Sequence, residues 1–260
     1  MLQNLIKISD CTKEDLEKII KLGIEFKNGK KSDSLSSKTA VLLFDKPSLR
    51  TKLSFIIGVQ KLGGNAIYFS PEEVGMGARE PIPDVSSVVS RMADIAIIRT
   101  FEQEKIELFE KYSKIPVINA LTDEEHPCQA LADVMTIYEQ LGTLENKNIT
   151  FIGDSNNVAK SLAFAVISLG GNFNIVSPKG YEFDKKTSNF LSGINGGEIN
   201  KYNNPEDPII NSDIVYTDVW TSMGQEDESK KRLIAFEGFQ ITKDLLDKSK
   251  KQVKFMHDLP

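Results

Sequence analysis

Ala40-Val41-Leu42-Leu43-Phe44 is an uninterrupted apolar run, and Asp45-Lys46-Pro47-Ser48-Leu49-Arg50-Thr51-Lys52-Leu53-Ser54-Phe55 comes directly after it. The run reads as a buried strand, and the residues after it open into a helical pattern. Pro47, Ser48 and Thr51 fall where the first turn of that helix begins. Free backbone N–H groups and the helix dipole make such a place a site for an anion. Ser48 and Thr51 add hydroxyl donors, and Arg50 adds a planar fork that matches phosphate oxygens. An ordinary helix cap with surface cations fits the same letters, so the segment alone leaves both readings open.

Strand and helix patterns alternate outward from it. Thr12 to Phe26 reads as an amphipathic helix with Thr12 as N-cap and Asp15 three residues on, a weaker form of the capping box, which prefers Glu or Gln there. Strands are expected at about 39–44, 65–69, 94–99 and 116–119, and a helix at about 127–141. A second set of strands is expected at about 149–153, 173–177 and 214–219, with a last one at about 253–257. The Asn/Lys/Gly stretch near 193–204 reads as loop. The expected fold is α/β in two domains, 1–140 and 141–260, each a mostly parallel sheet flanked by helices.

The 260 residues, 40% of them hydrophobic, suffice for two buried cores. No apolar run approaches the ~20 residues of a membrane span, and Met1 to Lys7 lacks a signal peptide's apolar core. A net charge of −5 and a pI of about 5.3 disfavour nucleic acid and anionic membrane as partners. Cys11 and Cys128 are too few for a disulfide framework and too dispersed for a structural zinc site. A cytoplasmic protein without membrane association is expected. Lysine dominates the cations, and arginine stands only at 50, 79, 91, 99 and 232.

In open α/β sheets, ligands bind beyond the carboxyl ends of the strands. Arg99 ends the strand 94–99 in Ile98-Arg99-Thr100-Phe101, either pointing into such a crevice or marking the exit to solvent. His126 comes after the strand 116–119 and precedes Pro127, which suits the first helical position, with Gln129 one turn further on the same side. A neutral imidazole there can donate to a carbonyl oxygen as it gains negative charge. Cys128 reads as a packed thiol. Gly153-Asp154-Ser155-Asn156-Asn157 occupies the place of a dinucleotide fingerprint but lacks its glycines, which argues against NAD. Asn156 and Asn157 are free to bond a polar ligand, and at least one of them must cap the helix. Asp218, at the end of the strand 214–219, can pair with a substrate ammonium, and Ser222-Met223-Gly224 offers a hydroxyl and backbone groups.

Taken together in this order, Ser48-Leu49-Arg50-Thr51, Ile98-Arg99-Thr100-Phe101, His126-Pro127-Cys128-Gln129, Asp218 through Gly224 and Met256-His257 make the chain resemble the ornithine carbamoyltransferases along essentially its whole length. The resemblance implies a carbamoyl phosphate site of Ser48, Leu49, Arg50, Thr51, Arg99, His126, Gln129 and Leu259. It implies an ornithine site of Asn157, Asp218, Ser222 and Met223, and catalytic roles for Arg50, His126 and Asp258. The first domain would bind carbamoyl phosphate and the second ornithine, in a homotrimer or a multiple of one, with no metal and no organic cofactor. The expected product is citrulline.

Three departures from the family pattern stand out. Leu49 replaces a commoner Thr and keeps only the backbone donor. Asp258 stands where many members have Cys, and a carboxylate there can pair with the δ-ammonium or accept its proton. The family also continues past Pro260 with an Arg-bearing segment and closing helices, so a missing C-terminal segment is expected. Asp218 with Ser222-Met223-Gly224 supplies no cations for aspartate, and putrescine lacks the head group that this loop suits, so ornithine is the expected amine. A carbamoyltransferase for another amine, or a non-catalytic anion-binding homologue, is the alternative.

Overall fold

In the computed structural model, which describes residues 2–221 and 226–259, the chain packs as two compact units, Met1–Ala132 and Asp133–Pro260. The first is built from α1 (Lys13–Lys27), β1 (Thr39–Phe44), α2 (Leu49–Lys61), β2 (Asn65–Phe69), α3 (Pro71–Val74), α4 (Ile82–Met92), β3 (Ile95–Arg99), α5 (Gln103–Tyr112) and β4 (Val117–Leu121). Helix α6 (Pro127–Leu141) comes next and carries the division between the units. Thr12 caps α1 as expected: its hydroxyl accepts from Asp15 N–H at 3.1 Å, and Asp15 Oδ2 accepts from Thr12 N–H at 3.2 Å.

All pairings in the first sheet are parallel, in the order β2-β1-β3-β4. Five of the six residues of β1 are buried, which is why it reads as an unbroken apolar run. Leu5 bridges Ile118 along the open side of β4, donating to Val117 O at 2.9 Å and accepting from Asn119 N at 2.8 Å. Strand β4 runs to Leu121 and bulges against Ile98/Arg99, at the carboxyl end of the sheet.

The second unit contains β5 (Asn148–Ile152), α7 (Asn157–Ser168), β6 (Asn172–Val176), α8 (Lys185–Ser192), β7 (Ile199–Tyr202), α9 (Glu206–Ile209), β8 (Ile214–Thr217), α10 (Ser229–Ala235), α11 (Lys243–Leu246) and β9 (Lys254–His257). Its sheet is also parallel throughout, in the order β7-β6-β5-β8-β9. The expectation of loop over 193–204 is corrected here, because residues 199–202 form β7. As an edge strand it buries little, and Asn200 bonds Asn174 of β6 at 3.2 Å, so polar letters disguise it. The glycines before β7 are required by close approach: a Cβ would stand 2.0 Å from Ile167 O at Gly196 and 1.8 Å from Gly171 O at Gly197.

Each sheet has one point where the strand order reverses. In the first unit it lies between β1 and β3, with Phe44 in register with Arg99. In the second it lies between β5 and β8, with Ile152 in register with Thr217. Chain leaving adjacent strands in opposite directions opens a crevice at their carboxyl ends. The loops bearing Ser48, Arg99, Asn156 and Asp218 leave at these two points, while His126 follows β4 and His257 ends β9, each one strand further along its sheet. No helix among the described residues is long and apolar enough to cross a membrane.

Candidate active site

At the β1/β3 crevice, Ser48 is the N-cap of α2, and its Oγ accepts from Thr51 N–H at 3.3 Å. Ser48 Oγ donates to Thr51 Oγ1 at 2.9 Å, and Arg99 Nη1 donates to the same oxygen at 3.2 Å. Arg99 is only 8% exposed, so it does not mark an exit to solvent. A buried guanidinium therefore lies beside the free N–H groups of a helix start, an arrangement suited to a phosphate or carboxylate. Arg50 lies exposed on the first turn, and Leu49 points outward at 67% exposure. The loop is tied to its neighbours: Asp45 N donates to Arg99 O at 2.7 Å, and Thr100 Oγ1 donates to Asp45 at 2.6 Å.

Lys46, which the sequence did not single out, is buried, paired with Asp123 and set 4.3 Å over the Phe101 ring. It joins the loop after β1 to the turn that precedes His126. No motif spacing announces this contact, although a position two residues before the Ser48 cap is a cue.

His126 stands immediately before α6, and its carbonyl accepts from Ala130 N at 3.1 Å. Burial, then the positive charge of Arg99, pushes its pKa down to about 3. The imidazole is therefore neutral at pH 7 and can act as a hydrogen-bond donor. Gln129 is partly buried within the first turn of α6. Cys128 donates from Sγ to Asn119 O at 3.4 Å, and burial pushes the thiol up to about 12. It is a packed thiol and not a thiolate nucleophile.

At the β5/β8 crevice, Asn156 is the N-cap of α7, its Oδ1 accepting from Ala159 N–H at 3.0 Å. Its Nδ2 donates to Asp218 at 2.8 Å, just past the end of β8. Asn157 is the first helical residue, and its Oδ1 accepts from Val158 N–H at 3.0 Å. Burial raises the Asp218 carboxyl, with the Asn156 bond and the nearby His257 working against the rise. Asp218, His257, Trp220, Phe239 and Phe255 line a cavity of about 410 Å³. Asp258, just past β9, is partly exposed and near enough to Tyr216 to raise its phenol, after burial and the Asp133 carboxylate. Leu259 is 67% exposed. Ser222 and Met223 lie outside the described residues.

Arg232 of α10 was given no role from the sequence beyond its place among the five arginines. It pairs with Asp154 at 2.5 Å and Glu228 at 3.1 Å, and donates to Trp220 O at 3.2 Å. Its rarity in a lysine-rich chain was the available signal.

Two family models match the chain. Residues 3–139 match the carbamoyl-P binding domain of aspartate/ornithine carbamoyltransferases, and residues 145–260 match their Asp/Orn binding domain. The chain belongs to this family. An ornithine carbamoyltransferase from Anoxybacillus flavithermus is 41% identical, aligned over 99% of this chain and 84% of its own length. One from Listeria monocytogenes is 43% identical over 99% of this chain and 84% of its own. Among solved structures, the ornithine carbamoyltransferase from Pyrococcus furiosus superposes with a TM-score of 0.92 at 38% identity, covering 99% of this chain and 85% of that one. The anabolic enzyme from Campylobacter jejuni gives 0.93 at 31% identity, covering 100% and 86%. Within this carbamoyltransferase chain, Ser48, Thr51, Arg99 and His126 fall in the segment matching the first family domain, and Asn156 and Asp218 in the segment matching the second.

Proposed function

We propose that this protein transfers the carbamoyl group of carbamoyl phosphate to the δ-amine of L-ornithine, giving L-citrulline and phosphate. The observation that carries the reading is Arg99 on Thr51 at the capped start of α2, in a chain about 41% identical to ornithine carbamoyltransferases over nearly its full length. The first-turn N–H groups of α2, with Ser48, Arg50, Thr51 and Arg99, hold the phosphate oxygens, and Leu49 contributes through its backbone. Gln129 and Leu259 are assigned to the same substrate. Neutral His126 and Arg50 polarise the carbamoyl oxygen and stabilise the charge that it gains.

On the amine side, Asp218 pairs with an ammonium of ornithine, with Asn157, Ser222 and Met223 completing its site. The δ-nitrogen attacks the carbamoyl carbon, a C–N bond forms, and the C–O bond to phosphate breaks with the electron pair leaving on phosphate. Attack makes the nitrogen acidic, and Asp258 accepts its proton. A free aliphatic amine with a pKa of ~10.4 is mostly protonated at pH 7, so placing the small neutral fraction against the carbon is a large part of the task. The residues assigned to these steps need no metal or organic cofactor.

The same reading makes the protein a cytoplasmic homotrimer or a multiple of trimers. Leu49, Leu53 and Ile57, 67%, 46% and 44% exposed at four-residue spacing along α2, support a further packing partner. Light scattering on the purified protein tests the assembly. The activity is tested by offering carbamoyl phosphate with ornithine, aspartate or putrescine separately and reading ureido products by mass. Citrulline alone is expected; another product, or none from folded protein, overturns the assignment.

A further inference from the structure

The turn between β4 and α6 is organised around one hydroxyl. Thr122 Oγ1 accepts from Glu125 N–H at 3.1 Å and donates to Gln103 Oε1 at 2.6 Å, while Thr122 N donates to Glu125 O at 2.9 Å. Glu125 directly precedes His126. Thr122 is fully buried and Gln103 is 3% exposed.

A hydroxyl has one proton to give, and the 2.6 Å contact with Gln103 takes it ahead of Glu125 O at 3.5 Å, which fixes which of its lone pairs faces the turn. Gln103 opens α5, an element distant in sequence from α6, and its Nε2 has no hydrogen-bond partner among the described residues. The oxygen of this amide is therefore the atom that ties α5 to the turn. The backbone of the same turn is anchored by Asp123 N donating to Phe101 O at 2.8 Å.

The geometry points to Gln103 as a positioning residue for His126, acting through Thr122 to hold the turn that presents the imidazole. This rests on the role assigned to His126 under the proposed function. A side chain that must meet a developing oxyanion gains little if its turn can shift, because a misplacement of about 1 Å is enough to lose a catalytic contact. Arg99 of β3 acts on the ring electrostatically, and Asp123, Glu124 and Glu125 stand in the turn before it, Asp123 paired with Lys46.

The test uses the full chain with Gln103→Met, which keeps the volume and loses the acceptor, and Gln103→Glu, which keeps an acceptor oxygen. Thr122→Val removes the hydroxyl from the other side and stands in should Gln103→Met fail to fold. The chain has only two histidines, so the His126 ring is resolved by NMR with His257 as the internal reference. In Gln103→Met and Thr122→Val, kcat is expected to fall about tenfold with KM for ornithine within about twofold. The His126 ring is expected to titrate at higher pH than in the parent, as water reaches it. Gln103→Glu is expected to restore both. Unchanged kcat and unchanged His126 titration in a folded variant overturn the proposal. If the parent makes no citrulline, the functional reading fails, and the ring titration alone still decides the positioning role.

Discussion

Asn156 donates to Asp218 over 2.8 Å and at the same time caps α7 by accepting from Ala159 N–H at 3.0 Å. One amide thus links a helix start to the carboxylate assigned to the substrate ammonium. Asn156→Ala is expected to cost about 1 kcal/mol through the lost cap. It should also raise KM for ornithine about tenfold while leaving KM for carbamoyl phosphate within about twofold. Asn156→Asp should keep the cap yet bring a second negative charge to Asp218, so its ornithine defect should persist without the stability loss. Thermal unfolding beside steady-state kinetics separates the two effects.

Asp218 is held above the ordinary carboxylate range chiefly by burial. The folded protein therefore binds that proton more tightly than the unfolded chain does. The associated stability is present at low pH and is lost as pH rises through the raised pKa. Asp218→Asn should accordingly stabilise the protein at pH 7 while reducing ornithine use, with KM rising about ten- to a hundredfold for a lost charge-assisted contact. A destabilised variant with normal ornithine kinetics would remove Asp218 from the site.

For His126 the sign is reversed. Burial and Arg99 bring its pKa to about 3, against ~6.5 unfolded, so between these values the unfolded chain binds the extra proton. Stability should fall as pH drops from about 6.5 towards 3, and His126→Gln should flatten that slope in a Tm-against-pH series. The same substitution should lower kcat about a hundredfold by removing an oxyanion donor.

Thr51 Oγ1 accepts from both Ser48 and Arg99. Thr51→Val keeps the shape and removes that oxygen, so Arg99 loses its bond to the start of α2. KM for carbamoyl phosphate is expected to rise about tenfold, the order of one hydrogen bond to a charged group. Ornithine binding should be unaffected, which titration calorimetry can read directly.

Arg232 and Asp154 form a pair whose side chains are 7% and 14% exposed. Removing one partner strands the other, so Arg232→Met should cost about 3 kcal/mol in denaturant unfolding. The double variant Arg232→Met with Asp154→Leu should recover much of that loss. A strictly additive double variant would show that the pair is not coupled.

Much of the architecture was legible because two different periodicities carry it. The apolar run Ala40–Phe44 and the stretch Ile149–Ile152, broken only by Thr150, mark strands covered on both faces, and the Thr12/Asp15 spacing marks a helix start. Strand β7 was not legible, since Asn200 bonds Asn174 through its side chain and Lys201 is exposed, letters that resemble loop chemistry. The alternatives at Asn156 and Asn157 were decided by the fold: Asn156 takes the cap and reaches Asp218.

The sequence by itself determined the class of fold and the family, because strand patterning and the order of the Ser48, Arg99, His126 and Asp218 motifs are local properties of the chain. Only the tertiary structure decided which side chains meet. Arg99 on Thr51, Lys46 on Asp123, Gln103 on Thr122 and Arg232 on Asp154 join positions between 19 and 78 residues apart. Such pairs are set by strand order and by the loops gathered at the carboxyl ends of the sheets. No local spacing encodes them, and burial gives them their energetic weight, since a polar group shut away from water must find its partner inside the protein.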